Sequence, residues 1–369
     1  MNEWMTREEA IARLGVKPQT LYAYASRGLV GRTAQDDDPR RSLYRSADVE
    51  ALAKRRKRGR ATAAIAASTL SWGEPTLPTS ISTVREGELI YRELSAAALA
   101  QDRTLEQVAA LLWQVDAVEF PACAPADDPF MAVAELARTA RPTVGRSREK
   151  LAQEACAAVS TIAASQGAKG TGPMHLRLAE AFGSGGPGAE CVRRILVLLA
   201  DHELNPSTFA ARIAASTGAS MPACILAGLA TLSGPKHGGA GAALDALLGE
   251  SETRGATAAV DRWLASGLPL PGFGHPLYPA GDPRAKAILA TFEPDEALNR
   301  LSRAASETGD ALPNVDFAIL AAARAHGWPP NSTFSLFAIA RTVGWAAHAM
   351  EQMESGAIIR PRGIYRAAA

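Results

Sequence analysis

The sequence predicts an all-α fold. Alanine is abundant, aromatic residues make up 6% of the chain, and β-branched residues are sparse in its longer segments, which favours helix over sheet. From about residue 130 to 201, helical patterns at 130–140, 147–165, 174–183 and 188–201 alternate with short breaks. Neither a βαβ alternation nor period-2 strands interrupt them. A chain of 369 residues has length for two to three domains.

The first element is small and basic. Thr6-Arg-Glu-Glu9 is a capping box that opens a helix running to about Leu14 and stopping at Gly15. A second helix tolerates Pro18 in its first turn, carries Tyr22 and Tyr24, and ends at Gly28. Leu29 to Tyr44 suits a short hairpin, or wing, around Gln35 to Pro39. Ser46 then caps a third helix that runs into Lys54-Arg-Arg-Lys-Arg-Gly-Arg60. Residues 1–60 hold 14 Lys and Arg against 8 Asp and Glu, a net of +6, while the remaining residues sum to −5. The phrases "MTREEAIARLGVKPQTLYAYASRGLV" and "LYRSADVEAL" resemble the winged helix-turn-helix of the MerR and excisionase type. That resemblance implies DNA as a partner, with Gln19, Thr20 and Tyr22 facing a groove and Arg40, Arg41, Arg45 and the basic tail on phosphates. A retained assembly module is the alternative.

Between Ala61 and Ser80 the chain loses charge and gains Pro and Gly, as a linker does. The stretch "STVREGELIYRELSAAALAQDRTLEQVAALLW" reads as a short turn followed by a helix capped by Thr104-Leu-Glu-Gln107. Cys123, Cys156, Cys191 and Cys224 are far apart and form no CxxC pair, which argues against a disulfide framework or a zinc site. No apolar run is long enough to span a bilayer, and Met1 to Ala10 lacks the apolar region of a secretory signal. A cytoplasmic protein is the expectation.

Three phrases carry chemistry. They are "ADHELNPSTFAARIAASTGASMPACILAGLATLSGPKHGGAGAALDALLG" (200–249), "GFGHPLYPAGDPRAKAI" (272–288), and "LPNVDFAIL" (312–320) with "IARTVGWAAHAMEQMESGAIIRPRGIY" (339–365). Each sets polar residues in a Gly- or Pro-marked turn between apolar helices, where glycine permits a positive φ or a close approach of ligand to backbone. His237 lies just before a helix start, whose dipole disfavours imidazolium. A carboxylate at Asp316 in apolar surroundings would have the raised pKa that a carbon-acid base needs.

In this order the three phrases resemble the citrate synthase family over about residues 75 to 369. The resemblance implies a two-domain helical fold after the helix-turn-helix. Its large domain would be 70–238 with 328–369 and its small domain 239–327, with the site in the cleft between them. It implies condensation of acetyl-CoA, or another short acyl-CoA, with oxaloacetate to citrate and CoA. Asp316 would be the base, His237 the enol stabiliser and His275 the group that activates the oxo acid. His202, Arg284, Arg341 and Arg360 would bind substrate, Arg360 reaching the neighbouring site of a homodimer. No metal or redox cofactor is implied; coenzyme A enters as the thioester substrate. Alternatives are 2-methylcitrate synthesis and a metabolite-sensing DNA-binding regulator on the same scaffold. His175, His326 and His348 match no catalytic phrase and read as structural. The chain departs from the family pattern at Gly241, where Asn is usual, at Pro276, where Arg is common, and just before Pro313-Asn-Val-Asp316, where Gly309 to Leu312 replace an often-found Lys.

Overall fold

The computed structural model describes residues 4–16, 21, 24–25, 30–35, 38–50, 77–267, 269–309 and 311–361. The chain divides into two compact units, Met1–Leu77 with Arg360–Ala369, and Pro78–Ile359.

In the first unit, β1 (Trp4–Met5), α1 (Arg7–Leu14), β2 (Arg32–Gln35) and β3 (Asp38–Arg45) surround a small core of Ala10, Leu14, Leu21, Val30, Tyr44 and Val49. The strand order is β1-β3-β2, antiparallel, with Met5 and Arg32 both opposite Tyr44 and a bulge at Ala34/Gln35. The expected capping box is present: the Thr6 hydroxyl accepts from the Glu9 amide, and the Thr6 amide donates to Glu9 Oε2. Gly15 ends α1 in the left-handed region at φ 61°. The hairpin expected between Leu29 and Tyr44 is β2–β3. Gln19, Thr20, Tyr22 and the basic run 54–60 lie outside the described residues, as do the side chains of Arg40 and Arg41. Arg45 lies over the Trp4 ring, 5.9 Å from its centroid.

Among its described residues the second unit is helical apart from one small meander, β4 (Ser82–Arg85), β5 (Glu88–Tyr91) and β6 (Leu94–Ser95), in the order β4-β5-β6. The sequence predicts a short turn at this stretch. It is a pair of two-residue hairpins, whose loops Glu86-Gly87 and Arg92-Glu93 all have positive φ. Arg92-Glu93 carries none of the usual turn residues, so composition concealed it. Tertiary bonds hold it instead: the Arg92 guanidinium donates to Leu112 O at 2.8 Å and to Ser80 Oγ at 2.6 Å.

The helices that follow are α2 (Ala96–Asp102), α3 (Leu105–Trp113), α4 (Pro129–Thr139), α5 (Arg148–Ala164), α6 (Met174–Ala181) and α7 (Pro187–Leu199). Then come α8 (Pro206–Ser216), α9 (Met221–Leu232), a 3₁₀ turn (Gly238–Ala240), α10 (Gly241–Arg254) and α11 (Ala256–Ala265). The last are α12 (Pro283–Leu289), α13 (Glu296–Gly309), α14 (Val315–His326) and α15 (Ser332–Ser355). Most starts follow capping rules: Asn205 with Pro206 opens α8, Asp282 with Pro283 opens α12, and Asn314 opens α14.

Helix α15, about 36 Å long by its residue count, is the axis of the unit. Every residue from Ser335 to Met350 is buried. It packs against α5, α7, α8 and α9 in the larger apolar core. A second core gathers Leu244, Leu247, Val260, Leu298 and Leu301 from α10, α11 and α13, with Phe317 and Ala321 of α14. Helix α14 therefore faces both cores, because Val315, Ala318 and Ile319 pack into the first.

Candidate active site

The chemistry-bearing residues come from five places in the second unit. These are the turn after α7, the 3₁₀ turn before α10, the loop into α12, the first turn of α14 and the middle of α15. The loop is tied directly to α14. Gly274 N donates to Leu312 O (2.8 Å), Asn314 N to Gly272 O (2.9 Å), and Asn314 Nδ2 to Gly274 O (3.2 Å). Gly272 and Gly274 adopt φ of 80° and 69°, which this tight pairing needs. His275 and Asp316 are thereby held in one register.

His202, His275 and Tyr278 form an aromatic cluster. The His202 and His275 rings meet edge-on with centroids 5.1 Å apart, and Tyr278 lies 5.0 Å from His275 and 5.6 Å from His202. His202 Nε2 and the Tyr278 hydroxyl are hydrogen-bonded at 2.9 Å. The Leu277 amide donates to His275 Nδ1 at 3.2 Å, so the neutral ring carries its proton on Nε2. Burial, reinforced by the positive charge of Arg284, lowers the His275 pKa to about 4. His202 is driven well below its ordinary value by burial first, then by Arg284 and Arg341.

His237 precedes the 3₁₀ turn, and its Nε2 lies 2.9 Å from Ser207 Oγ. That hydroxyl also receives the Trp345 indole N–H at 3.1 Å and stands 2.7 Å from Asn205 Oδ1. Asn205 Oδ1 can only accept, so Ser207 donates its one proton there and accepts from His237, whose neutral ring carries its proton on Nε2. Burial brings the His237 pKa to about 4, with Arg341 adding to the effect.

Asp316 is in the first turn of α14 but does not cap it. Asn314 Oδ1 accepts the Asp316 and Phe317 amides instead, leaving the Asp316 carboxylate available. Burial pushes its pKa up to about 6, against the pull of Arg284 and with a further push from Asp282.

Two buried arginines of the site, Arg284 and Arg341, differ from each other. Arg284 Nε and Nη2 grip Asp282 at 3.0 and 2.8 Å, a pair almost sealed from solvent. The fork expected to hold a substrate carboxylate is thus already occupied on one edge. Asp282 also accepts the Val315 amide at 3.1 Å, which ties Arg284 to the helix that bears Asp316. Arg341 is 1% exposed. Its Nε donates to Leu199 O at 2.9 Å, its guanidinium lies over Phe337, and its Nη2 has no hydrogen-bond partner. Burial lowers its pKa to about 10. A buried, unsatisfied guanidinium nitrogen is costly unless an anion meets it.

Behind His202 lies a buried polar chain that no local sequence pattern announces. Asp201 Oδ2 accepts from Ser82 Oγ and, at 3.1 Å, from His348 Nε2. His348 Nδ1 faces Arg212 Nη1 at 3.1 Å, and Arg212 continues to Glu351 at 2.6 Å. Arginine can only donate, so Nδ1 accepts and the His348 proton sits on Nε2, toward Asp201. The Tyr91 hydroxyl closes the carboxyl end of α7 on Val197 O, Leu198 O and Asp201 O.

Six of the seven expected active-site residues, namely His202, His237, His275, Arg284, Asp316 and Arg341, therefore come from segments that pack together in the second unit. Arg360 is exposed and belongs to the other unit. Tyr278, Ser207 and Asp282 were missed. The first and last stand in the very loop quoted for His275 and Arg284, where a hydroxyl or carboxylate two or three residues away was the available signal. Among the described residues no group of three metal-ligating side chains occurs and no helix is long and apolar enough to cross a membrane.

Residues 122–362 match the family described as citrate synthase, C-terminal domain. The chain is 34% identical over 192 residues to a putative citrate synthase 2 of Mycobacterium tuberculosis, covering 48% of this chain and 51% of that protein. It is 35% identical over 181 residues to a 2-methylcitrate synthase of Shewanella oneidensis, covering 46% and 48%. The chain thus spans about half the length of the curated relatives it matches. Among solved structures, citrate synthase from Thermotoga maritima superposes with a TM-score of 0.65 at 26% identity, over 80% of this chain and 94% of that one.

Proposed function

The chain belongs to the citrate synthase family, and from that premise we propose that it is an acyltransferase that condenses acetyl-CoA, or another short acyl-CoA, with oxaloacetate to give citrate and CoA. The observation that carries the reading is the opposed tuning of neighbouring groups. Asp316 is raised to about 6 while His237 and His275 are lowered to about 4. Near neutral pH one carboxylate is ionised yet basic, and two imidazoles are neutral donors.

The sequence of events follows from those states. Asp316 takes a proton from the carbon next to the thioester carbonyl. His237 presents a ring N–H to the carbonyl oxygen as the enol forms, its Nδ1–H once the Ser207 hydroxyl turns from Asn205 Oδ1 to donate to Nε2. His275 Nε2–H donates to the oxo-acid carbonyl, offsetting the charge that develops as the carbon–carbon bond closes. Arg341, through its unpartnered nitrogen, and Arg284 hold carboxylates, with His202 beside them. Hydrolysis of the resulting thioester releases CoA.

The second apolar core supports a small domain within 239–327, whose closure on a large one of 70–238 with 328–369 would exclude water. In a homodimer, Arg360 would complete the neighbouring site. The test is release of free thiol from acetyl-CoA on adding oxaloacetate. Wild type should exceed Asp316→Ala by at least about 10²-fold. A wild type that releases no more thiol than the variant, with acetyl- and propionyl-CoA both tried, sinks the enzymatic reading.

A second reading concerns residues 1–60, favoured by a unit with its own core, a β2–β3 hairpin and a net charge of +6. It is DNA binding by a helix-turn-helix, which would make the protein a regulator as well. Retardation of duplex DNA by the full chain should weaken steeply with salt and disappear when residues 1–60 are deleted. No retardation even at low salt removes this reading.

A further inference from the structure

The glycines around His237 are not alike. A Cβ on Gly238 would lie 2.6 Å from Leu232 Cδ1, and one on Gly239 would lie 2.6 Å from Ser233 O, so packing itself excludes side chains there. Gly241 has ordinary helical angles, φ −54° and ψ −39°. A Cβ there would meet only Thr333 Oγ1, at 3.8 Å. Nothing in the packing demands glycine at this position, and glycine in a helix costs stability relative to alanine. What the missing side chain leaves is space. Gly241 borders a recess of about 20 Å³ that is also lined by Gly238, Asp316, Ile319, Thr333 and Phe337. That is room for about one water-sized group. A base must touch the carbon it deprotonates, so any carbon attached to that atom has to occupy space adjoining Asp316.

We propose that this recess receives the acyl chain of the thioester and that Gly241 sets its length, leaving room for one carbon beyond acetyl, so that the chain takes propionyl as well as acetyl groups. The proposal rests on the condensing activity above and deepens it by naming the residue that decides acyl length. A methyl group at position 241 occupies the recess that the additional carbon needs.

The experiment compares kcat/KM for propionyl-CoA and acetyl-CoA, at saturating oxaloacetate, in wild type, Gly241→Ala, Gly241→Val and Gly249→Ala. Gly249 lies on the same helix, where an added Cβ meets nothing within 4 Å. It therefore controls for helix propensity alone. The propionyl-to-acetyl ratio should fall about 10-fold in Gly241→Ala, as one methylene in a tight pocket commonly decides. It should fall further in Gly241→Val and stay put in Gly249→Ala. Thermal melting shows whether the variants remain folded; alanine at 241 is expected to melt no lower than wild type. An unchanged ratio in folded Gly241→Ala overturns the proposal, and so does a wild type that turns over acetyl-CoA but not propionyl-CoA. Absence of turnover with either thioester is a different result, which removes the condensing activity itself and the proposal with it.

Discussion

The two sides of the candidate site are built on different electrostatics. On the side that would hold the oxo acid, buried charges are paired, save for the Arg341 nitrogen left without a partner. Arg284 is locked to Asp282, and Asp201 stands against His348 and Ser82 with Arg341 near enough to lower its pKa. On the side that would hold the thioester, His237 and Asp316 have no opposite charge in direct contact among the described residues, and burial is the first cause of both shifts. Pairing keeps a group charged, whereas desolvation keeps an acid or base close to neutrality. A site that needs fixed charges to bind and poised ones to move protons uses each device where it fits.

The largest expected effect comes from removing the poised group. Asp316→Asn should lower kcat by about 10²–10⁴-fold, the usual contribution of a positioned base, with a far smaller change in the KM for oxaloacetate. A comparable loss of oxaloacetate affinity would instead place Asp316 on the carboxylate-holding side.

Breaking the pairing side should have the opposite kinetic signature. Asp282→Asn removes one charge of a sealed pair and loosens both Arg284 and the Val315 amide. The KM for oxaloacetate should rise by about 10- to 100-fold, since buried charge pairs are costly to break.

Asp282 also joins the two sides, because its charge helps to raise Asp316. In wild type, kcat/KM should fall as pH drops through about 6, where Asp316 takes a proton; His237 and His275 remain neutral until about 4. In Asp282→Asn a repelling neighbour is gone and Arg284 is left unbalanced, so that acid limb should move below 6. A limb that stays in place would mean that the two sides are electrically independent.

The smallest effect is on stability. A carboxyl whose folded pKa is raised above its unfolded value of about 3.8 favours the fold when protonated, and that advantage disappears as pH rises through about 6. Asp316→Asn should therefore stabilise the protein by about 1–3 kcal/mol at pH 8, read as a higher Tm, with the gain gone below about pH 4. A variant that melts lower at pH 8 would show that the carboxylate is held by favourable contacts rather than tolerated.

Much of this was legible in the sequence for local reasons. The helices expected at 130–140, 147–165, 174–183 and 188–201 are α4 to α7 with ends shifted by a residue or two. Apolar periodicity and capping residues specify such elements without tertiary help. The β4–β6 meander escaped because its second loop, Arg92-Glu93, is bent by contacts to Ser80 and Leu112 rather than by its own residue types. Asp282 escaped because a carboxylate in Asp-Pro-Arg reads first as a helix cap. It is one, accepting the Arg284 amide at 2.9 Å, and its second role depends on where Val315 falls in space. His348 read as structural from the sequence. Its place beside Asp201, 147 residues earlier in the chain, is a product of packing that no local pattern announces.

Glycine-to-alanine replacement within helices is a common first step in making a protein more heat-resistant. In this chain the recipe would sort its targets sharply. Helix α9 presses Gly228 against Trp345, where a Cβ would lie 2.6 Å from the indole, and α15 brings Gly344 against the turn at Ala200 and Asp201, where a Cβ would lie 2.5 Å from Ala200 O. An engineer following helix propensity alone would at these two positions push α15, which carries Arg341, away from α9 and from the turn that leads to His202. At Gly241 the same change meets no backbone and no side chain nearer than 3.8 Å, and on the reading proposed above it would be felt in the choice of acyl group.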